Sequence, residues 1–416
     1  MLEVAEASER ILADIRQLDS EEVTLRDSLG RVLASDVISP VTLPAWDNSA
    51  MDGYAVHGDD VRAAAPEAPV FIPVLETIAA GAFASRALPR GSAMRIMTGA
   101  PLPEGCDSVI RVEDTDGGAE RVSVRDARDV GKNIRHRGED IHTGARVLAA
   151  GTPLSAAQIG VLSSVGAARV IVSRKPRVAF LGSGDELVDV DGFAEVLAGR
   201  KIVSSNSYTL DALIRLAGGI PVSLGVARDD PADLRARLLE GLGADLLITT
   251  AGISVGEFDY VRGVLAELGA ELRFWKVRMR PGAPIGFGLI QGMPWLGLPG
   301  NPVSTMVTFD LFVRPVIRKM LGDARPFRRP VRVILEETIS IGASLTHFLR
   351  AVVSPHPDGR LTARLTGSQG SGILTSMALA NALLVVPPDR KRCEKGESLN
   401  ALLLGEDAYL SERFEL

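Results

Sequence analysis

Three times between Arg177 and Arg325 an apolar run breaks into a glycine-rich turn ahead of a helical pattern. The runs are residues 177–187 (RVAFLGSGDEL), 245–256 (DLLITTAGISVG) and 295–304 (WLGLPGNPVS). Between and after them lie amphipathic stretches of helical length. One carries Leu210, Leu213, Ile214 and Ala217, another Leu234, Leu238, Leu239 and Leu242, a third Val261, Val264, Leu265 and Leu268. Gly218 is placed to stop the first helix, and Asp230 with Pro231 to start the second. Strands that alternate with helices of this length imply a parallel sheet covered on both faces. Its ligand loops then lie beyond the carboxyl ends of the strands.

Those loops carry chemistry. Successive backbone N–H groups at Gly182, Ser183 and Gly184, with the partial positive charge of a following helix, form an anion cradle. Acids sit beside the same turns: Asp185 and Glu186 at the first, Glu257 and Asp259 after the second. If Asp230 caps its helix, Asp229 is left to face the strand tips. Carboxylates beside an anion cradle point to a phosphate-bearing ligand held partly through a divalent cation. Gly182, Gly184 and Ser254 are accordingly candidate substrate contacts. Residues 276–282 (KVRMRPG) put Lys276, Arg278 and Arg280 on one face if they form a strand. A charge-protected sheet edge and an oxyanion contact are the two readings of that row, the second favoured by the neighbouring loops. Pro299 and Pro302 stiffen the turn ahead of a helix ending near Leu321.

The flanks have other textures. Residues 3–18 repeat Val4, Ile11, Leu12, Ile15 and Leu18 as one helical stripe. Short β-like runs fill 46–144, and after Pro326 further strands are expected at 331–336, 348–353, 361–365 and 382–386. The predicted fold is therefore α/β plus β and multidomain. A helical and linker domain (1–45 and 145–176) accepts an inserted β-rich domain (46–144). A central α/β parallel-sheet domain follows (177–326), then a C-terminal β-barrel (327–416).

Several segments outside the sheet admit two readings. DNSAMDGYA at 47–55 is either an Asx-rich turn or a ligand contact in which Gly53 lets the backbone approach closely beside Asp52. Thr98–Gly99 ends a strand and serves equally as a turn. The charged loop at 131–140 reads as solvated and self-paired. GSQGSG at 367–372 is a flexible linker or a contact surface, and Arg350 by itself reads as an ordinary surface cation.

Composition removes several functions. The chain of 416 residues has two cysteines and five scattered histidines, too few for a disulfide framework or a thiolate metal site. A net charge of −6 argues against a broad nucleic-acid surface. No apolar stretch approaches the roughly 18–20 residues of a membrane span, and the N-terminus lacks an export signal, so a cytoplasmic location is expected. With no Ser–His–Asp set or partnered thiol in view, acids, cations and backbone amides remain. That inventory suits metal-assisted phosphoryl or oxyanion chemistry.

Taken together, DNSAMDGYAV (47–56), IMTGAPLPEGCD (96–107), GKNIRHRGEDI (131–141), GSGDEL (182–187) and LPGNPVS (298–304) resemble the MoeA family, the molybdopterin molybdenumtransferases. The family is related to the E domain of gephyrin, and the motifs match in order over essentially the whole chain. The resemblance implies that adenylylated molybdopterin and molybdate give molybdenum cofactor and AMP, with Mg2+ assisting. It implies a homodimer whose cleft joins the sheet domain and barrel of one subunit to the inserted module of the other. It also implies, as further partners, the preceding molybdopterin adenylyltransferase and the recipient molybdoenzymes. The family's acids fall on Asp52, Glu186, Asp229 and Asp259, the last three as metal ligands. Its substrate contacts fall on Thr98, Lys276, Arg280, Pro299, Pro302, Arg350 and Ser371.

Three positions depart from the family pattern: Arg280 and Ala283 stand where lysines are usual, and Ala251 where a glycine is. If position 251 needs a positive φ, alanine strains it by about 1 kcal/mol. Two rival functions are distinguishable. A scaffold would bind peptide but no pterin, and an adenylyltransferase would consume ATP.

Overall fold

A computed structural model describes residues 1–251 and 260–405 of the chain. The chain divides into two compact units, one of residues 1–35, 150–156 and 169 onward, the other of residues 36–149 and 157–168.

The first unit is organised by a six-stranded sheet in the order Ile220–Ala227, Arg177–Ser183, Leu246–Thr250, Met293–Leu298, Pro284–Ile290, Ala270–Lys276. Period-two alternation decides which core each side chain joins. Val178, Phe180, Leu246 and Ile248 pack with Leu210, Ile214 and Val307 on one face. Ala179, Leu181 and Leu247 pack with Leu234, Leu238 and Leu265 on the other. Every residue of Leu246–Thr250 is consequently buried. Two helix boundaries match expectation. Gly218 ends Ser205–Ala217 at φ 98°, and Asp230 caps Pro231–Gly241 by accepting from the Asp233 N–H at 3.0 Å.

Four local expectations need correction. The sheet is mixed: its first four strands are parallel, but Pro284–Ile290 runs antiparallel to both of its neighbours. Only Gln291 and Gly292, at φ 50° and 85°, join Pro284–Ile290 to Met293–Leu298, and a two-residue turn with both φ positive makes a hairpin, not a crossover. The first glycine turn does not open a helix directly. Leu187–Val188 first pairs with Ile202–Val203, and the helix begins at Ser205. The helix after Pro302 holds a π-helical turn at Phe309–Val313 before continuing as Arg314–Met320. Finally, residues 276–282 are not one strand.

That last break changes the site. The sheet strand ends at Lys276, and Met279–Arg280 pairs instead with Thr346–Pro355 of the barrel. Lys276, Arg278 and Arg280 therefore share no common strand face. Arg278 is consumed structurally, paired with Glu3 at 2.9 Å and donating to the Ser344 carbonyl at 3.3 Å.

The barrel closes as a ring: Thr346–Pro355, Leu361–Leu365, Val331–Leu335, Ser398–Leu403 and Ala382–Val386, the last pairing back to the first. Leu349, Ala351 and Val353 fill its interior with Val333, Leu384 and Ala401. Alternation then turns Phe348 and Arg350 to the barrel's outer face, and Phe348 joins the core of the sheet domain. The N-terminal helix Val4–Ala13 buries Ala7 and Ile11 in that same core.

The second unit is built on a five-stranded sheet, ordered Ser108–Arg111, Gly53–Val56, Ala93–Ile96, Val70–Ile78, Arg121–Val124. Gly53 is glycine for the sheet's sake, since a Cβ there would meet the Ile110 carbonyl oxygen at 2.0 Å. The close approach expected there is thus to a neighbouring strand. Among the described residues no helix is long and apolar enough to cross a membrane.

Candidate active site

The carboxyl ends of the parallel strands open onto a cavity of about 580 Å3 whose walls include Ser183, Glu186, Asn206, Thr250, Pro299 and Pro302. The strand Arg177–Ser183 delivers Gly182 and Ser183 to the sheet tip, both buried. Glu186 then folds back over Gly184 so closely that a Cβ on that residue would lie 2.6 Å from a Glu186 carboxylate oxygen. Gly184 sits at φ 142°, so its backbone requires glycine; its N–H donates to the Ala227 carbonyl at 3.2 Å, so the expected cradle of successive free amides is not formed there.

Asp229 stands at the adjoining strand end. Its carboxylate accepts the Asp185 N–H and its own N–H donates to the Asp185 carboxylate, each at 3.3 Å. The expectation that Asp229 is free is only half met, because it also ties two loops together. Asp185, Glu186 and Asp229 all lie exposed on these two neighbouring loops. Carboxylate oxygens are hard donors of the kind a hard divalent cation takes. Among the described residues, however, no group of three histidines, cysteines or acids has metal-ligand spacing. Asp259, Glu257 and Ser254 lie outside the described residues.

The turn at 299–301 is stiff, as its prolines suggest. The Thr305 hydroxyl donates to the Pro299 carbonyl at 2.6 Å, and Thr305 is fully buried. Asn301 does not cap its helix with its side chain; its Nδ2 reaches the Ser371 hydroxyl at 3.0 Å. The Val303 N–H reinforces that link by donating to the Ser371 carbonyl at 3.2 Å. The glycine-rich loop at 367–372 is accordingly a docked wall and not a linker. Gln369 anchors it, accepting the Arg350 N–H at 2.9 Å and donating to the carbonyls of Arg350 and Gly367 at 3.1 Å each.

Successive residues of this loop line two cavities. Gly372 belongs to the first, and Gly370 to a second of about 330 Å3 walled also by Arg280, His347, Arg350 and Gln369. Arg350 overturns the surface-cation reading, being 0 % exposed. Its guanidinium donates to the Ser376 hydroxyl at 3.0 Å and the Gly370 carbonyl at 2.9 Å. Burial pushes its pKa down, yet a guanidinium stays charged in proteins. No carboxylate within ion-pair distance among the described residues balances that charge. Arg280 is exposed, with no side-chain hydrogen bond or ion pair to described residues. His347, buried between them, has its pKa lowered by desolvation and also by Arg280, so it is neutral at pH 7. An uncompensated positive pocket is a place for an oxyanion. Lys276 is exposed and lines neither cavity.

In the second unit the structure brings Asp52 and Thr98 together. The Asp52 carboxylate accepts the Thr98 backbone N–H and hydroxyl at 2.7 Å each. Those two bonds, the backbone one first, hold its carboxyl below the ordinary range, so it is ionised at neutral pH. The loop at 131–140 is only partly self-paired: His136 N–H donates to Glu139 within it, but Arg137 N–H donates to Asp47 outside it.

Sequence reasoning missed Asn206 and His347; Gln369 falls in the 367–372 segment read as a linker or a contact surface. The run SSNS at 204–207, ahead of an amphipathic helix, was the available signal for the first, and nothing local marks the second.

Comparison with known proteins follows this geometry. Residues 2–166 match the MoeA N-terminal region (domain I and II), 179–319 a probable molybdopterin binding domain, and 326–404 the MoeA C-terminal region (domain IV). The molybdopterin molybdenumtransferase 2 of Mycobacterium tuberculosis is 37% identical over 398 residues, covering 94% of this chain and 97% of that one. The molybdopterin molybdenumtransferase of Bacillus subtilis is 36% identical over 409 residues, 97% of this chain and 94% of its own. Among solved structures, the molybdopterin biosynthesis moeA protein from Pyrococcus horikoshii OT3 superposes with a TM-score of 0.83 at 29% identity, covering 97% of this chain and all of that one (100%).

Proposed function

The chain belongs to the MoeA family, and we propose that it inserts molybdate into adenylylated molybdopterin and releases AMP. Its general class, a transferase of molybdenum cofactor biosynthesis, follows from that membership. The observation that carries the finer reading is the pair of cavities sharing one loop, one at the strand tips with Glu186 on its wall, the other holding a buried, unbalanced arginine. A substrate with a pyrophosphate link needs the first, and a tetrahedral oxyanion needs the second.

In this reading Arg350 and Arg280 hold molybdate oxygens, Arg350 pre-organised by its own hydrogen bonds so that little ordering is left to bind. Lys276, outside both cavities, adds long-range attraction for anions. The strand tip at Gly182–Ser183 and the rigid Pro299–Pro302 turn, with Ser371 behind it, shape the wall against which the phosphates lie and exclude water from that side. Glu186 and Asp229 fit a magnesium ion by their oxygen donors, and Asp259 joins them by resemblance. Bound there, magnesium would neutralise the pyrophosphate and stabilise AMP as the leaving group. Asp52, ionised and fixed by Thr98, is the inserted module's contribution in the homodimer that belongs to the same proposal. Delivery from molybdopterin adenylyltransferase and onward transfer to molybdoenzymes complete it.

The test is release of AMP from adenylylated molybdopterin on adding molybdate and magnesium, followed by reconstitution of a cofactor-free molybdoenzyme. Protein that neither releases AMP nor yields active cofactor would reject the proposal.

A further inference from the structure

We propose that His347 couples oxyanion capture in the smaller cavity to proton uptake: its imidazole, neutral beside Arg280 and Arg350, becomes imidazolium when a dianion joins them. The inference rests on the proposed function, which puts molybdate oxygens at those two arginines, and adds a pH-linked step to the same site.

His347 is 4 % exposed and stands on the wall of the cavity of about 330 Å3. Strand pairing sets it opposite Arg280 on one side and Val386 on the other. Its Nδ1 lies 2.8 Å from the Leu345 carbonyl. A carbonyl only accepts, so Nδ1 carries the proton of the neutral ring and Nε2 is the nitrogen left to titrate. The titratable side chains on the cavity wall are Arg280, His347 and Arg350, and none of them is acidic. The strand Ala382–Val386 and the wall segments 339–342 and 365–370 hold no titratable residue.

Desolvation lowers the pKa of this ring most; the Leu345 carbonyl works against it, and the Arg280 charge adds to it through space. An oxyanion reverses the local field. Molybdate is a dianion at neutral pH, and held at Arg280 and Arg350 it stands beside the charge that now opposes protonation. No hydrogen bond to the ring is required, because the interaction is electrostatic and a buried site screens it weakly. An opposite charge at such range favours the charged form of a histidine. The bound state then holds more protons than the free one. By linkage, the oxyanion binds more tightly as pH falls into the imidazole range.

The experiment is calorimetric titration of the full chain with molybdate at about pH 6.5 and about pH 8, the first at the ordinary histidine pKa and the second well above it. Each titration is run in two buffers of different ionisation enthalpy, so that the apparent heats count the protons taken up. Wild type is expected to take up about half a proton per molybdate at the lower pH and almost none at the higher. It should also bind about threefold more tightly at the lower pH, the scale on which an adjacent opposite charge moves a titratable group. His347→Asn, whose Nδ2 can take over donation to Leu345, should lose both the uptake and the pH dependence. Arg350→Met should abolish binding, which locates the ion in this cavity. Wild type that binds molybdate without proton uptake at the lower pH would overturn the inference. So would His347→Asn that takes up as many protons as wild type. Wild type that binds no molybdate, or Arg350→Met that binds it undiminished, would instead sink the placement of the oxyanion in the arginine pocket, and the inference with it.

Discussion

The two cavities handle charge in opposite ways. The larger has the exposed Glu186 on its wall, and Asp185 and Asp229 on the neighbouring loops are exposed too, each carboxylate accepting the other's backbone N–H at 3.3 Å. The smaller buries its arginine completely and ties the guanidinium to neutral partners. Exposed carboxylates near one another tolerate repulsion because water screens it, and they can gather or release a hydrated cation at little cost. A buried guanidinium without a carboxylate has given up hydration and recovers it only partly from Ser376 and Gly370. In the proposed function an incoming oxyanion would supply the rest. On that proposal one cavity accepts an exchangeable cation, the other an anion as part of its own electrostatic balance.

That contrast can be broken most forcefully at Arg350. Arg350→Met keeps length and apolar bulk but removes the charge, so molybdate-dependent AMP release should fall about a hundredfold, the scale of a lost charged hydrogen bond. Arg350→Lys should recover part of this, since charge returns without the two-partner fork. Full activity in Arg350→Met would move the oxyanion elsewhere. Next comes the exposed side. Glu186→Gln should slow AMP release about tenfold and leave the thermal midpoint in place, because the carboxylate has no buried partner to lose. Raising magnesium should restore part of the rate; release that matches wild type at every magnesium concentration removes Glu186 from the mechanism.

Two smaller effects sharpen the comparison through stability. Ala251, on the wall of the larger cavity, adopts φ 70°, the strained geometry expected at this position from the family's glycine. Ala251→Gly should stabilise the chain by roughly 0.5 kcal/mol, the relief of about 1 kcal/mol of left-handed strain offset by glycine's larger unfolded-state entropy. Denaturant unfolding measures it, and a lower midpoint would refute the strain. The smallest effect belongs to His347. Its folded pKa is below the ordinary 6.5, so the unfolded chain takes up the proton first as pH falls. Stability should be full above about pH 6.5 and decline as pH drops toward the lowered value. His347→Gln should flatten that part of the profile in pH-dependent melting; an unaltered slope would show that other groups set it.

Much of the site was legible because its signals are local. Glycine at 184 and 218, proline at 299 and 302, and the cap at Asp230 each answer a backbone requirement within a few residues, and the structure places them as expected. The misreadings share the opposite property. Gly53 looked like a ligand approach because the Ile110 carbonyl that demands it lies on another strand, 57 residues away in sequence. The row Lys276, Arg278, Arg280 looked like one face because nothing local reveals that Met279–Arg280 leaves the sheet to pair with the barrel.

Chain order and composition determined the family, the alternation of strand and helix, and which residues could bind an anion or a cation. Those properties reside in short stretches whose periodicity and backbone freedom are intrinsic. Tertiary structure alone decided that Arg350 is buried without a counter-charge and that a loop rich in glycine is a fixed wall. Burial and partnership are relations between distant segments, and a linear string of residues carries no distances across space.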